Sequence, residues 1–164
     1  MNADEFNLVK KYRSLGLLVD TNLLMLLWVG RWNSAFISRH KRTNQFDAND
    51  YGLLEMLVEL FTKVVVTPCI LAEASNLVRQ SGGKNSGAGS LSEKLVEQFR
   101  LLDERHIESI VVADSAAFIP LGLTDAGIAL VAREKYLVVT SDLDLYCHLQ
   151  TEAIDAINFH HLRH

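Results

Sequence analysis

Short apolar runs alternate with longer amphipathic stretches along this chain, a pattern that predicts an α/β fold with a parallel sheet covered by helices. Leu15–Val19 is apolar throughout, as expected of a central strand buried on both faces. Val64–Thr67 is a β-branched run, and Ile107–Val112, Leu137–Thr140 and Ala156–Phe159 read as further strands. Between them lie helix starts. Thr67-Pro68 sets a capping hydroxyl before a proline and opens a helix to about Arg79. Ser90-Leu-Ser-Glu93 fits a capping box that opens a helix to about Arg105. Thr124 before Asp125 caps a helix to about Lys135, and Asp47 with Asp50 starts one through Leu60. Ser81–Ser90 is rich in Gly and Ser and reads as a flexible loop inside the domain, not a boundary.

The 164 residues fit one domain, 1–164, with a core over about 15–159. Hydrophobic residues make up 49% and charged ones 22%, the composition of an ordinary globular protein. The apolar runs are too short to span a bilayer. No signal-peptide layout precedes them, and Cys69 and Cys147 lack a metal-type spacing, so they are expected to be free core thiols. These features point to a cytoplasmic protein without membrane contact. A net charge of −4 argues against coating nucleic acid by charge alone.

Four acids stand where chemistry is expected. Asp20 follows the first strand directly, at the strand end that faces the ligand crevice of a parallel sheet. The same residue also reads as the N-cap of the next helix. Glu73 borders the apolar side of its helix, where an ionised carboxylate calls for a cation, although an outward-reaching edge residue fits too. Asp125 lies in a first helical turn, favourable with the helix dipole, at the end of a stripe formed by Ile128, Ala129 and Ala132. Asp142 repeats the placement of Asp20 after the strand Leu137–Thr140. Asp144, two residues on, reads either as a fifth acid or as a helix-start residue. Together, the four would repel one another unless cations neutralised them, and hard oxygen ligands suit Mg²⁺ or Mn²⁺. A divalent ion at such a site activates water and stabilises the leaving oxygen of a phosphodiester.

Leu-Leu-Val-Asp20-Thr-Asn22, Thr-Pro-Cys-Ile-Leu-Ala-Glu73-Ala-Ser-Asn76, Leu-Thr124-Asp125-Ala126 and Val-Val-Thr140-Ser-Asp142-Leu-Asp144 occur in that order. In this the chain resembles the PIN-domain nucleases, from about Leu15 to Phe159. The resemblance implies a three-layer α/β/α sandwich with a central parallel sheet in the order 3-2-1-4-5. It implies a Mg²⁺- or Mn²⁺-dependent endoribonuclease in which Asp20, Glu73, Asp125 and Asp142 bind metal or position the attacking water. Thr21, Asn22, Thr140 and Ser141 would hold the carboxylates or the scissile phosphate. Many bacterial members are toxins restrained by an antitoxin protein, and such toxins commonly form homodimers. This chain departs from the shorter toxin pattern in its Gly/Ser loop and in the stretch Arg31–Phe46.

That stretch has no acid and carries Arg31, Arg39, Lys41 and Arg42 with Trp32 and Phe36, the mixture that single-stranded RNA binding uses. It follows the helix of Asn22, so it is expected to sit beside the acids. A solvated helix end with core-directed aromatics, or a protein interface at Trp32, accounts for the same residues. Two rivals to the nuclease remain: a catalytically inactive PIN module that binds RNA or a protein partner, and a metal-dependent phosphatase or receiver-like domain. The last is weakened because Asp20-Thr-Asn22 lacks a second Asp. The terminal histidines suggest no function.

Overall fold

The computed structural model of the chain describes residues 2–80, 88–133 and 135–163. Five parallel strands form one sheet: β1 (Leu17–Val19), β2 (Val64–Val66), β3 (Leu102–Glu104), β4 (Leu137–Thr140) and β5 (Ala156–Asn158), in the order β3-β2-β1-β4-β5. This is the topology expected from the sequence. β1 is wholly buried and pairs with β2 on one side (Leu18 with Val65) and with β4 on the other (Leu18 with Val138). The winding reverses between β1 and β4, the point at which sheets of this kind open a crevice beyond their carboxyl ends.

The helices are α1 (Ala3–Tyr12), α2 (Thr21–Asn33), α3 (Ala48–Glu59), α4 (Pro68–Gln80), α5 (Ala88–Phe99), α6 (Ser109–Ala113), α7 (Phe118–Ala132) and α8 (Leu143–Thr151). α2 is apolar almost all round and is buried from Leu23 to Gly30, with α3, α4 and α5 packed on it. Its approach to α3 is close. A Cβ on Gly30 would stand 2.2 Å from Cδ2 of Tyr51. α7 and α8 pack on each other and on β4, as right-handed crossovers to the opposite side of the sheet require.

Several expectations need correction. The third strand is Leu102–Glu104, not Ile107–Val112. Of the β-branched run only Val112 is buried, within the short α6, while Ile110 and Val111 face solvent. β3 is an edge strand held by pairing with Val64–Val66, and its Leu-Asp-Glu needs no apolar signature. The helix expected to run from Ser90 to about Arg105 therefore stops at Phe99, and it begins at Ala88. Residues 81–87 of the expected Gly/Ser loop lie outside the described residues. α7 begins before Thr124 but breaks at Gly122, whose φ of 74° and ψ of −178° are not helical. Cys69 and Cys147 are free, but Cys147 is exposed rather than part of the core. α1 adds a capping box of its own, in which Asn2 and Glu5 bond each other's backbone N–H. Among the described residues no helix is long and apolar enough to cross a membrane.

Candidate functional site

Beyond the carboxyl ends of β1 and β4 lies a cavity of about 240 Å³, lined by Asp20, Glu73, Asp125 and Asp142 together with Thr21, Asn22 and Thr124. Leu121 and Leu123 complete its wall. Four separate segments deliver the four acids. Asp20 caps α2, accepting from the Leu23 N–H at 2.7 Å, and Asp142 caps α8, accepting from the Leu145 N–H at 2.9 Å. The positive ends of two helix dipoles thus adjoin the cavity, where they partly offset the acids and favour a bound phosphate. Glu73 projects from the second turn of α4, and Asp125 follows the break in α7 at Gly122.

The acid most tightly held is Asp20. It is 3% exposed, and its second carboxylate oxygen accepts from the Thr140 hydroxyl at 2.5 Å and from the Ser141 N–H at 2.8 Å. Burial pushes its pKa above the ordinary carboxylate value. The bonds from Thr140, Leu23 and Ser141 act the other way, and the charge of Asp142 adds to the rise. Asp125 is half-buried and has no such donors among the described residues. Its own burial and then the charges of Asp142, Asp20 and Glu73 push it up to about 7. Asp125 thus lies within the field of the other three carboxylates.

Glu73 takes the outward-reaching alternative of the two that the sequence leaves open. It is exposed rather than set against the apolar face, and the Thr21 hydroxyl donates to it at 2.9 Å. The acid that asks for neutralisation on physical grounds is Asp125. Thr21 and Thr140 hold carboxylates as expected, whereas Ser141 does so through its backbone N–H, and its hydroxyl is buried without a partner among the described residues. Asn22 lines the cavity. Asp144 does not: it is exposed in the first turn of α8. The sequence marks Thr124 only as a cap, and it gives no signal for Leu121 and Leu123 beyond adjacency to Asp125.

Among the described residues lining the cavity none is Lys, Arg or His. The basic stretch expected beside the acids stands at the other end of α2, whose 13 residues cover about 20 Å. There Arg31 is committed to Glu55 at 2.7 Å and to Gln98 at 3.1 Å, and Trp32 meets Phe36 edge-on. Arg39, Lys41 and Arg42 are exposed.

The chain matches no family model, no curated protein and no solved structure. What the site can do rests on its own chemistry. Its donors are hard oxygens, the set that Mg²⁺ and Mn²⁺ take. Among the described residues no three acidic, histidine or cysteine side chains stand as a ready-made ligand group. Mg²⁺ asks for less: it is commonly held by one or two carboxylates, keeping waters and substrate phosphate oxygens in its remaining positions.

Proposed function

We propose that the protein is a Mg²⁺- or Mn²⁺-dependent ribonuclease of the PIN type that hydrolyses RNA phosphodiester bonds at the Asp20–Glu73–Asp125–Asp142 cavity. The observation that carries this reading is the convergence of four acids from four segments on one cavity at the switch point of a parallel sheet. A divalent ion bound there supplies an activated water and charge stabilisation at the leaving oxygen.

The residues of the chain have separable tasks in this reading. Asp20, fixed by three hydrogen bonds, offers a carboxyl edge of set orientation. Asp142 sits opposite it across the β1–β4 junction. Asp125, whose carboxyl is pushed up to about 7 by its burial and by the neighbouring acids, would hold a cation as the carboxylate. Glu73, steadied by Thr21, closes the solvent side. Asn22 and Thr124 present donors to the scissile phosphate from the cavity wall.

The test is incubation with a panel of structured and single-stranded RNAs in Mg²⁺, Mn²⁺ or EDTA, followed by mapping of cut positions. Cleavage that requires the metal and leaves discrete ends supports the reading, and RNA left intact under every condition refutes it. One observation favours a second reading, an inactive PIN module that binds RNA or a protein partner: the described residues hold no ready-made ligand group. The same panel separates the two, because such a module retains RNA or its partner without cutting. Restraint by an antitoxin, and a homodimer, belong to the proposal as well, and co-purification with the product of a neighbouring reading frame tests the former.

A further inference from the structure

The acidic cavity has no cation among its described lining residues, yet an RNA strand brings one negative charge per phosphate. Cations must meet the strand elsewhere. A path of adjoining cavities leads to such a place. Leu123 borders both the acidic cavity and a small neighbour of about 60 Å³, which lies against Thr67 and Ser109. His106 and Ile107 border that neighbour and, beyond it, a third cavity of about 180 Å³. Arg105, His106, Lys135 and Tyr136 line this third cavity. Lys63 lies beside it, 5.7 Å over the Tyr136 ring.

We propose that the cavity of Arg105, His106 and Lys135 is the subsite that holds the RNA backbone one or more nucleotides away from the phosphate being cut. The proposal rests on the ribonuclease reading and locates the strand's path within it. Three features support the site. Among the described residues the lining carries Arg105, His106 and Lys135 and no acid, and beside it Lys63 and Arg105 share the carboxylate of Asp103, at 2.9 and 2.8 Å. Nε of Arg105 is buried and has no partner among the described residues, while its Nη2 holds Asp103. Lys135 is exposed at the rim, where its ammonium can meet a phosphate, and Tyr136 gives an apolar ring beside the cations. The chain runs Glu104-Arg105-His106-Ile107 directly off the end of β3, anchored by the Arg105 N–H on Val66 O at 2.8 Å, so these side chains start from a fixed backbone. The small middle cavity is too narrow for a base. In this proposal the strand crosses its mouth, over Leu123.

The experiment measures binding of a labelled single-stranded RNA to the full chain in EDTA, where cleavage does not interfere, across a salt titration. Wild type is compared with Lys135→Ala, with His106→Ala/Lys135→Ala and with Arg39→Ala/Arg42→Ala at the remote end of α2. Lys135 and His106 are exposed, so their replacement leaves the fold intact, as circular dichroism checks. The expected result is several-fold weaker binding by the Lys135 variants, a salt slope shallower by about 0.7 for each phosphate no longer neutralised, and unchanged binding by the Arg39/Arg42 variant. In Mg²⁺ or Mn²⁺ the same Lys135 variants raise KM and leave kcat near wild type, since they do not touch the reacting phosphate. If wild type binds and cleaves RNA while the Lys135 variants match it in affinity and slope, the subsite is wrong and the ribonuclease reading stands. If they no longer bind inorganic phosphate but keep wild-type RNA affinity, the cavity is a free-anion site and the proposal falls. If wild type neither binds nor cleaves RNA, both readings fall together.

Discussion

The hydroxyl of Thr140 donates to the carboxylate of Asp20 at 2.5 Å and at the same time accepts from the backbone N–H of Asp142 at 2.9 Å. One fully buried side chain thus ties the end of β1 to the turn after β4, and it sets two of the four acids relative to each other. Thr140→Val keeps the shape but leaves a buried carboxylate oxygen and a backbone N–H short of a partner. The expected loss of stability is about 1–3 kcal/mol. Thr140→Ser, which restores the hydroxyl, recovers most of it, as urea unfolding of both variants would measure.

Gly122 places Asp125. Its φ of 74° with ψ of −178° falls in a region open almost only to glycine, although a Cβ there would meet nothing within 4 Å. The obstacle is therefore backbone strain and not space. Gly122→Ala is expected to cost about 1–3 kcal/mol, or to relieve the strain by re-forming the helix and displacing Leu123, Thr124 and Asp125. Thermal unfolding reads the first outcome, and weakened Mn²⁺ binding reads the second.

The pKa of Asp125 has a consequence for stability. Its folded value of about 7 lies above its ordinary 3.8, so between those values the folded state holds a proton that the unfolded state has released. This group's contribution to stability is therefore largest below about pH 4 and falls as pH rises through about 7. Asp20 is shifted in the same direction. In EDTA, the urea midpoint of wild type should fall relative to that of Asp125→Asn as pH goes from about 5 to about 8. Adding Mg²⁺ or Mn²⁺ at the higher pH should raise the wild-type midpoint, because a bound cation removes the penalty. A pH dependence identical in the two proteins would contradict the assignment.

At the far end of the chain, Nε of Arg163 pairs with the buried carboxylate of Asp50 at 2.7 Å, and the guanidinium lies 5.7 Å over the Phe46 ring. Its Nη2 donates to Gln45 O at 3.3 Å. Asp50 also closes the capping box of α3, accepting from the Asp47 N–H at 3.0 Å. Arg163→Ala leaves that carboxylate buried without its cation and is expected to cost about 2–4 kcal/mol, read from the urea midpoint. Arg163→Lys should recover only part of the loss, because an ammonium cannot serve Asp50 and Gln45 with the same planar fork.

What the sequence conveys about the fold follows from burial. β1, β2, β4 and β5 are buried on both faces, so they are mostly apolar, and each is visible as a run of Leu, Val, Ile or Ala, closed in β4 by Thr140 and in β5 by Asn158. β3 is only partly buried, unlike β5 at the other edge, so Leu-Asp-Glu gives no apolar pattern to read. The β-branched Ile107–Val112 stretch looks like a strand locally, yet it has no neighbour to pair with once β3 has taken the edge. At the site, Asp20 and Asp142 are legible because a strand end followed by a cap is a local arrangement. The exposure of Glu73, the break at Gly122 and the approach of Arg105 and Lys135 depend on how distant segments pack, which no short window of sequence contains.

Single-turnover cleavage by Asp125→Asn is the sharpest test of the four-acid centre. Asp20→Asn is less clean, since it also disturbs a buried cap and the bond to Thr140, whereas Asp125 makes no such bonds among the described residues and its amide keeps the shape. With Mn²⁺ and a labelled RNA that wild type cuts, the expected loss in rate is at least about a hundredfold, because a metal's stabilisation of the reacting phosphate is worth several kcal/mol. Circular dichroism and the unfolding midpoint should show the fold retained. Cleavage by Asp125→Asn at the wild-type rate would contradict the claim that the four acids form the reactive centre.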